Sequence, residues 1–272
     1  MCGIAGFIGT KNINLFEINK TLKIMHHRGP DANGYKFFKE KKNICLLHTR
    51  LKILDLSSNA NQPYTFDGLN LVFNGEIYNY KELRNDLSKK GYSFKTSSDT
   101  EVLLKSFHFY GQNCVKKFEG MWSFAIWDNK NKKLFLSRDR FGEKPLYYFQ
   151  NSETIYFGSE IKFIKSLHKK FFEKNDLLIK KNLFLGYKSI QKTNETFYKG
   201  IYSVANSTNL IIDLNLKLLK TNYYKPKLNI QKYSYDEILG ETEKLIIKSL
   251  NIRLRSDVPV SFCLSGGIDS SL

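Results

Sequence analysis

Four short runs rich in β-branched and aromatic residues follow one another closely at 121–127, 133–137, 146–149 and 154–158, and they narrow the fold more than any other feature. Two earlier runs of the same kind stand at 44–48 and 69–73. The second is entered through Asp67-Gly68, a pair suited to a hairpin turn. Helical patterns surround them. Leu15, Ile18, Leu22 and Met25 recur at helical spacing behind the capping pair Asn14 and Glu17, which predicts a helix running to near Arg28-Gly29-Pro30. The stretches 79–90 and 99–110 also read as helices, closed by Gly91 and Gly111, and another is predicted over 160–167. Strands clustered between helices imply stacked sheets covered by helices. No internal repeat is present.

The last part of the chain has a different pattern. Residues 201–224 are β-like and polar by turns and read as the tail of the first domain. Residues 225–235, with Pro226 among lysines, read as a linker. A helix is predicted over 234–251, with Ile238, Leu245 and Ile246 mainly on one side. Residues 258–264 are a candidate buried strand feeding Ser265-Gly266-Gly267-Ile268-Asp269-Ser270. A glycine loop between a strand and a helix start can cradle a phosphate, since its N–H groups close on an anion. It is not a Walker loop, because the glycine-to-lysine spacing is absent.

Composition removes several function classes. Four cysteines at 2, 45, 114 and 263 form no CxxC pair and no disulfide framework, so metal binding and secretion are poorly supported and a reducing cytoplasm fits best. The five histidines have no metal-ligand spacing, and no metal site is assigned. No stretch approaches the roughly 18 to 20 apolar residues of a membrane span. The net charge of +17 raises nucleic-acid binding, but only 7 of the 43 basic residues are arginines and the lysines are scattered. The charge therefore reads as solvated surface, with no specific nucleic acid and no membrane as partner.

Met1-Cys2-Gly3 carries the chemistry. Once methionine is removed, Cys2 holds a thiol and an α-amine on one residue, with intrinsic pKa values of about 8.5 and about 7.7 to 8.0. Taken alone, Met-Cys is more readily an accident of the N-terminus. It is followed by His27-Arg28-Gly29-Pro30-Asp31, His48-Thr49-Arg50-Leu51-Lys52-Ile53-Leu54-Asp55, Phe73-Asn74-Gly75-Glu76-Ile77-Tyr78-Asn79 and Ser98-Asp99-Thr100-Glu101. Arg138-Asp139-Arg140-Phe141-Gly142 and Lys144-Pro145-Leu146-Tyr147-Tyr148 come later. In order and spacing these segments resemble the glutamine-hydrolysing half of class II amidotransferases, and within that group the glutamine-dependent asparagine synthetases.

The resemblance implies an α+β fold, the four-layer αββα sandwich of N-terminal-nucleophile hydrolases, over 2–224. Beyond the linker, 236–272 would begin an α/β ATP pyrophosphatase domain. It also implies roles. Cys2 attacks the side-chain amide of glutamine, and its own amine relays the proton. Asn74 through its NH2 and Gly75 through its backbone N–H stabilise the oxyanion. Arg50 clamps the α-carboxylate with its fork, Asp99 meets the ammonium with Glu76 in support, and Leu51, Ile53 and Leu54 line the pocket. Plainer readings stand beside these: Asn74-Gly75 as a type I′ turn and Asp99 as a helix N-cap; for Arg28 and Asp31 two readings stay open, substrate contacts or parts of a rigid turn around Gly29-Pro30. Ser98 stands where glycine is common in the family.

By the same resemblance, Leu264, Ser265, Gly266, Gly267, Ile268, Asp269 and Ser270 bind ATP, with Mg²⁺, for adenylation of aspartate. The glutaminase half needs no cofactor. Because the sequence stops at Leu272 while the family continues, the expectation is an N-terminal fragment or an interrupted reading frame that acts as a glutaminase only. Two alternatives stay open, namely a related amidotransferase acting on another carboxylate and a non-catalytic truncated partner. A homodimer also stays open.

Overall fold

Alternation along the strands sorts apolar side chains onto two faces, and in this protein both faces of each sheet find cover. A computed structural model describes residues 1–186, 193–226 and 233–271. In chain order the strands are Gly3–Gly9 (β1), Ala32–Lys39 (β2), Asn43–Arg50 (β3), Tyr64–Phe66 (β4), Leu69–Ile77 (β5), Gly120–Asp128 (β6), Lys133–Arg138 (β7), Tyr147–Gln150 (β8), Thr154–Gly158 (β9), Ile201–Ser203 (β10), Thr208–Asp213 (β11) and Leu218–Asn222 (β12). The helices are Leu15–Met25 (α1), Tyr80–Lys89 (α2), Asp99–Tyr110 (α3), Ile161–His168 (α4), Asp176–Leu185 (α5), Tyr235–Arg253 (α6) and the short Ile268–Ser271 (α7). They build two antiparallel six-stranded sheets, ordered β10-β8-β9-β1-β3-β2 and β12-β11-β7-β6-β5-β4.

Three apolar cores correspond to the three interfaces of a four-layer sandwich. On β1, Ile4 and Ile8 face the other sheet and join Leu46, Val72, Trp127 and Leu136. Their neighbours Ala5 and Phe7 point the other way, to α1 and α4, with Leu22, Met25 and Phe163. On β5 and β6, Leu71, Phe73, Phe124 and Ile126 pack beneath α2 and α3 with Leu83, Leu87 and Val102. The fold is therefore an α+β sandwich, as the resemblance implied. Leu46 is fully buried between the sheets, so its truncation to alanine should cost about 2–5 kcal/mol.

Local signals explain most boundaries. The Asn14 and Glu17 box at α1 is closed in both directions, at 2.9 and 3.2 Å. Asp67 and Gly68 both take positive φ (+46° and +82°), and they form the turn from β4 into β5. Three expectations need correction. Asn74-Gly75 is no turn, since both residues lie inside β5 opposite Ser123 and Trp122 of β6. The cap of α3 is Ser98, whose Oγ accepts from Thr100 N at 3.1 Å, leaving Asp99 as the first helical residue. Residues 258–264 form no strand and are mostly exposed. Among the described residues no strand lies alongside them, and the backbone bonds there are local, between Val258 and Ser256 Oγ; an unpaired strand leaves its N–H and C=O groups to water.

Other differences are additions. β1 and β2 were not foreseen, and 201–224 resolves into three strands that complete both sheets. Of the expected linker, 227–232 lies outside the described residues. The helix expected over 234–251 is α6, with Ser234 and Glu237 forming its capping box.

Candidate active site

Four segments bring the candidate residues together. Cys2 immediately precedes β1, Arg50 ends β3, Asn74, Gly75 and Glu76 lie on β5, and Asp99 opens α3. All six line one cavity of about 180 Å³, and Leu51, Ile53 and Leu54 also lie in its wall.

The Cys2 thiol is held by one residue from both sides. It donates to Leu51 O at 3.6 Å and accepts from Leu51 N at 3.4 Å. Arg28 Nε donates to the Cys2 carbonyl at 2.8 Å, fixing the backbone beneath it. Burial pushes the thiol pKa up, and the Leu51 N–H and the terminal amine only partly offset this. The amine of Met1 moves down, chiefly through burial, with Arg28 and Lys144 adding to it against the pull of Cys2. A protonated thiol thus sits beside an amine that gives up its proton readily.

Strand pairing explains the glycine at 75. A Cβ there would lie 2.1 Å from Met121 O, so only glycine lets β5 run this close to β6. Beside it, Asn74 Nδ2 donates to Ser123 Oγ at 3.4 Å, and Asn74 Oδ1 is buried with no partner among the described residues. A half-turn of the carboxamide would let the Ser123 hydroxyl donate to Oδ1 and would place the NH2 where that orphan oxygen lies. His48, next in space, uses Nε2 to donate to Phe73 O at 3.1 Å, linking β3 to β5. Burial pushes its pKa down to about 3, so it stays neutral.

Arg50 lines the pocket, but its fork is already engaged. Nη1 donates to Ser57 O at 2.7 Å and Asn61 Oδ1 at 2.8 Å, while Nη2 donates to Leu54 O at 3.2 Å and to Asp55 O. Among the described residues only Nε–H is left without an acceptor. A bidentate grip by the fork, as expected from sequence, therefore requires the 54–61 loop to release it. Asp99 is nearly inaccessible, with Oδ2 accepting from Ile77 N at 2.9 Å and Oδ1 from Ser98 Oγ at 3.3 Å. Burial raises its carboxyl to about 7, with the Ile77 N–H pulling down and Glu76 pushing up.

The sequence reading assigned no role to Lys144. It is buried at the cavity wall, facing Glu76, and burial lowers its pKa while Glu76 draws it back up. Its backbone is held by Asp139, whose carboxylate accepts from the amides of Trp122, Phe141, Glu143 and Lys144 at 2.9–3.2 Å. The Arg138-Asp139 and Lys144-Pro145 segments together were the signal for it. Gln62 and Met121 also line the cavity and had no such signal, while Thr100, which lines it too, stands in the Ser98-Asp99-Thr100-Glu101 segment. Arg28 and Asp31 do not line it. Arg28 holds Cys2 and Glu160, and Asp31 Oδ2 accepts from Lys52 N at 2.8 Å.

At the other end, Leu264 and Ile268 are exposed, and the loop is closed on itself: Ser265 Oγ lies 3.1 Å from Ser270 Oγ and accepts from Gly267 N at 3.4 Å. Gly266 takes φ +75° with open space where a Cβ would be, which leaves its backbone approachable by an anion. Of Asp269 only the backbone is described. No group of three His, Cys, Asp or Glu side chains among the described residues is placed to hold a metal.

The family description "Glutamine amidotransferase domain" matches residues 1–224, and "Asparagine synthase" matches 241–272. The chain belongs to the glutamine amidotransferase domain family. This amidotransferase is 40% identical to a putative asparagine synthetase [glutamine-hydrolyzing] of Methanocaldococcus jannaschii, across the whole chain and 56% of that relative. It is 36% identical to asparagine synthetase [glutamine-hydrolyzing] 1 of Bacillus subtilis, covering 43% of it, and 32% identical to the amidase chry2 of Gibberella zeae, covering 42%. The chain thus spans about half the length of the curated relatives it matches. Among solved structures, the glutamine phosphoribosylpyrophosphate amidotransferase of B. subtilis superimposes with a TM-score of 0.59 over 83% of this chain and 50% of that one. At 17% identity that likeness concerns the fold.

Proposed function

We propose that this amidotransferase hydrolyses glutamine at Cys2 and, within a longer protein, delivers the ammonia to adenylated aspartate to make asparagine. The reading rests on one observation above all, the convergence of Cys2, Arg50, Asn74, Gly75 and Asp99 on a single cavity. With Met1 removed, the α-amine takes the thiol proton as sulfur adds to the carboxamide carbon. The oxyanion that forms is stabilised by the Asn74 NH2 and the Gly75 N–H. Collapse breaks the C–N bond, the ammonium returns its proton to the leaving group, and ammonia departs from a thioester. Water then attacks the thioester with the same amine as base, yielding glutamate and the free thiol.

Asp99, with Glu76 nearby, receives the substrate ammonium, whose charge draws the Asp99 carboxyl back toward ionisation. Arg50 receives the α-carboxylate, through Nε–H or after its loop acceptors let go. Residues 2–224 are the glutaminase domain, 225–235 a linker and 236–272 the beginning of a synthetase domain, in a cytoplasmic enzyme. There the Ser265 loop would hold ATP phosphates, and bound ATP supplies activation of the acceptor carboxylate as an adenylate. Mg²⁺ finds no ready-made ligand set among the described residues, and no step here runs through it.

The test is direct. Glutamate and ammonia should appear in equal amounts from glutamine and be lost in Cys2→Ala. Equal release by that variant would end the reading. Similarity to a fungal amidase favours a second acceptor, so the longer protein should be offered aspartate against other carboxylates.

A further inference from the structure

Among the described residues after 234, hydrogen bonds to the sheet body come from Arg255 and Asp257. Arg255 forms a two-pronged pair with Glu82, each contact 2.6 Å, and donates to Tyr78 O at 2.7 Å. Asp257 grips the wall of the glutamine pocket from outside. Its Oδ2 accepts from Asp55 N at 2.7 Å and its own N–H donates to Ile53 O at 3.0 Å, closing a ring around that stretch of loop. Ile53 and Leu54 line the cavity, and the carbonyls of Leu54, Asp55 and Ser57 are three of the four acceptors that hold the Arg50 fork.

We propose that Asp257 is a positioning residue for glutamine, holding the 53–57 loop in the form that sets Arg50 and so tying the segment leading to the Ser265 loop to the glutamine pocket. The loop needs such a hold. Asp55 takes φ +55°, a conformation that a residue with a side chain adopts only under constraint. Its own carboxylate is already engaged, accepting within the turn from Ser57 N at 3.0 Å and Ser57 Oγ at 2.6 Å, and from Ser97 N, in the segment before α3, at 2.8 Å. Its amide, however, depends on Asp257. Removing that acceptor frees the Asp55 amide and loosens the carbonyls of Leu54, Asp55 and Ser57 that anchor Arg50. A charge-assisted bond of this length is among the stronger ones available to a loop.

The inference rests on the glutaminase reading, and the experiment separates the two. In the full chain carrying Cys2→Ala, so that glutamine binds without turnover, Asp257→Ala should weaken glutamine about tenfold by calorimetry, equivalent to about 1.4 kcal/mol. Asp257→Asn keeps an oxygen for the Asp55 amide and should bind within about threefold of the parent. Hydrogen exchange at Asp55 N–H should speed up in the alanine variant and stay slow in the asparagine one. Unchanged glutamine affinity in Asp257→Ala would overturn the proposal, as would equal losses in both variants accompanied by a fall in melting temperature. If the parent with Asp257 intact binds no glutamine, the glutaminase reading fails instead. The Asp55 exchange still decides whether the clamp exists.

Discussion

The sheet body and the tail after 233 meet the same problem with opposite results. In the body, Trp122, Trp127, Phe124 and Leu46 are wholly enclosed, because each strand face meets a second sheet or a helix pair. In the tail, Leu239, Leu245 and Ile247 of α6 are half-exposed or more, and so are Phe262 and Leu264 beyond it. Yet α6 is the longest helix described. A helix satisfies its own backbone and starts on a local cap, whereas a strand must borrow partners from elsewhere. Local rules thus suffice for α6 and fail for 258–264. Chemistry at the glutamine pocket, which depends on converging side chains, should therefore reside in the body, with the tail reaching the pocket wall through Asp257.

The sharpest test of that contrast is at the nucleophile. Cys2→Ala, or a chain that keeps Met1 and so has its amine displaced from Cys2, should lose glutaminase activity to background, while Leu239→Ser in α6 leaves it intact. Ammonia release that survived the first change or vanished with the second would reverse the comparison. Next, Asn74→Ala should lower kcat about 10²–10³-fold, as loss of an oxyanion donor does. A change confined to KM would move Asn74 to ground-state binding. Limited proteolysis should cut between 235 and 264 about a hundredfold faster than within β1 to β9, since opening there disturbs little buried surface. Comparable rates would mean that the tail is better covered than its exposure implies.

Smaller effects probe the pocket. Arg50→Lys should raise KM for glutamine about tenfold, because a point charge cannot replace a fork fastened to four oxygens. A KM near the parent value would remove Arg50 from recognition. Asp99 gives a pH test with a definite sign. Its folded pKa of about 7 lies above the unfolded carboxyl value, so its ionisation costs stability, a cost absent below the unfolded pKa, growing through the range between the two and complete above about pH 7. Asp99→Asn should therefore melt about 2–4 °C higher than the parent at pH 8, with the difference shrinking as the pH falls toward about 4, while binding glutamine more weakly. Melting curves that coincide at pH 8 would show that the carboxylate is better compensated than its burial implies.

Much of this was legible in residues. Asn14 and Glu17 announce α1, Asp67-Gly68 announces a hairpin, and Ser98-Asp99-Thr100 marks the start of α3. What stayed hidden depends on distant partners. β1 reads as Gly-Ile-Ala-Gly-Phe-Ile-Gly, with three glycines and apolar residues on both sides, so no alternation advertises it. Its glycines fit against neighbours such as Cys45 O and Thr154 that the local sequence does not name. Asn74-Gly75 has the composition of a hairpin turn, but the carbonyl of Met121 across the sheet explains its glycine. The engagement of Arg50 was equally invisible, because carbonyl acceptors carry no residue identity. Lys144 stands in a segment that the sequence does mark, but its place at the pocket depends on the Asp139 carboxylate gathering four amides around it.

β1 lies in the interior of its sheet, between β9 and β3, and Cys2 is attached to its first residue. On the proposed reading the nucleophile thus sits at a chain terminus anchored in the middle of the architecture. A lineage built on such a plan cannot lengthen itself in front without removing the addition afterwards. New parts, fusion tags and partner modules alike belong behind the sandwich, where β12 runs along an open sheet edge.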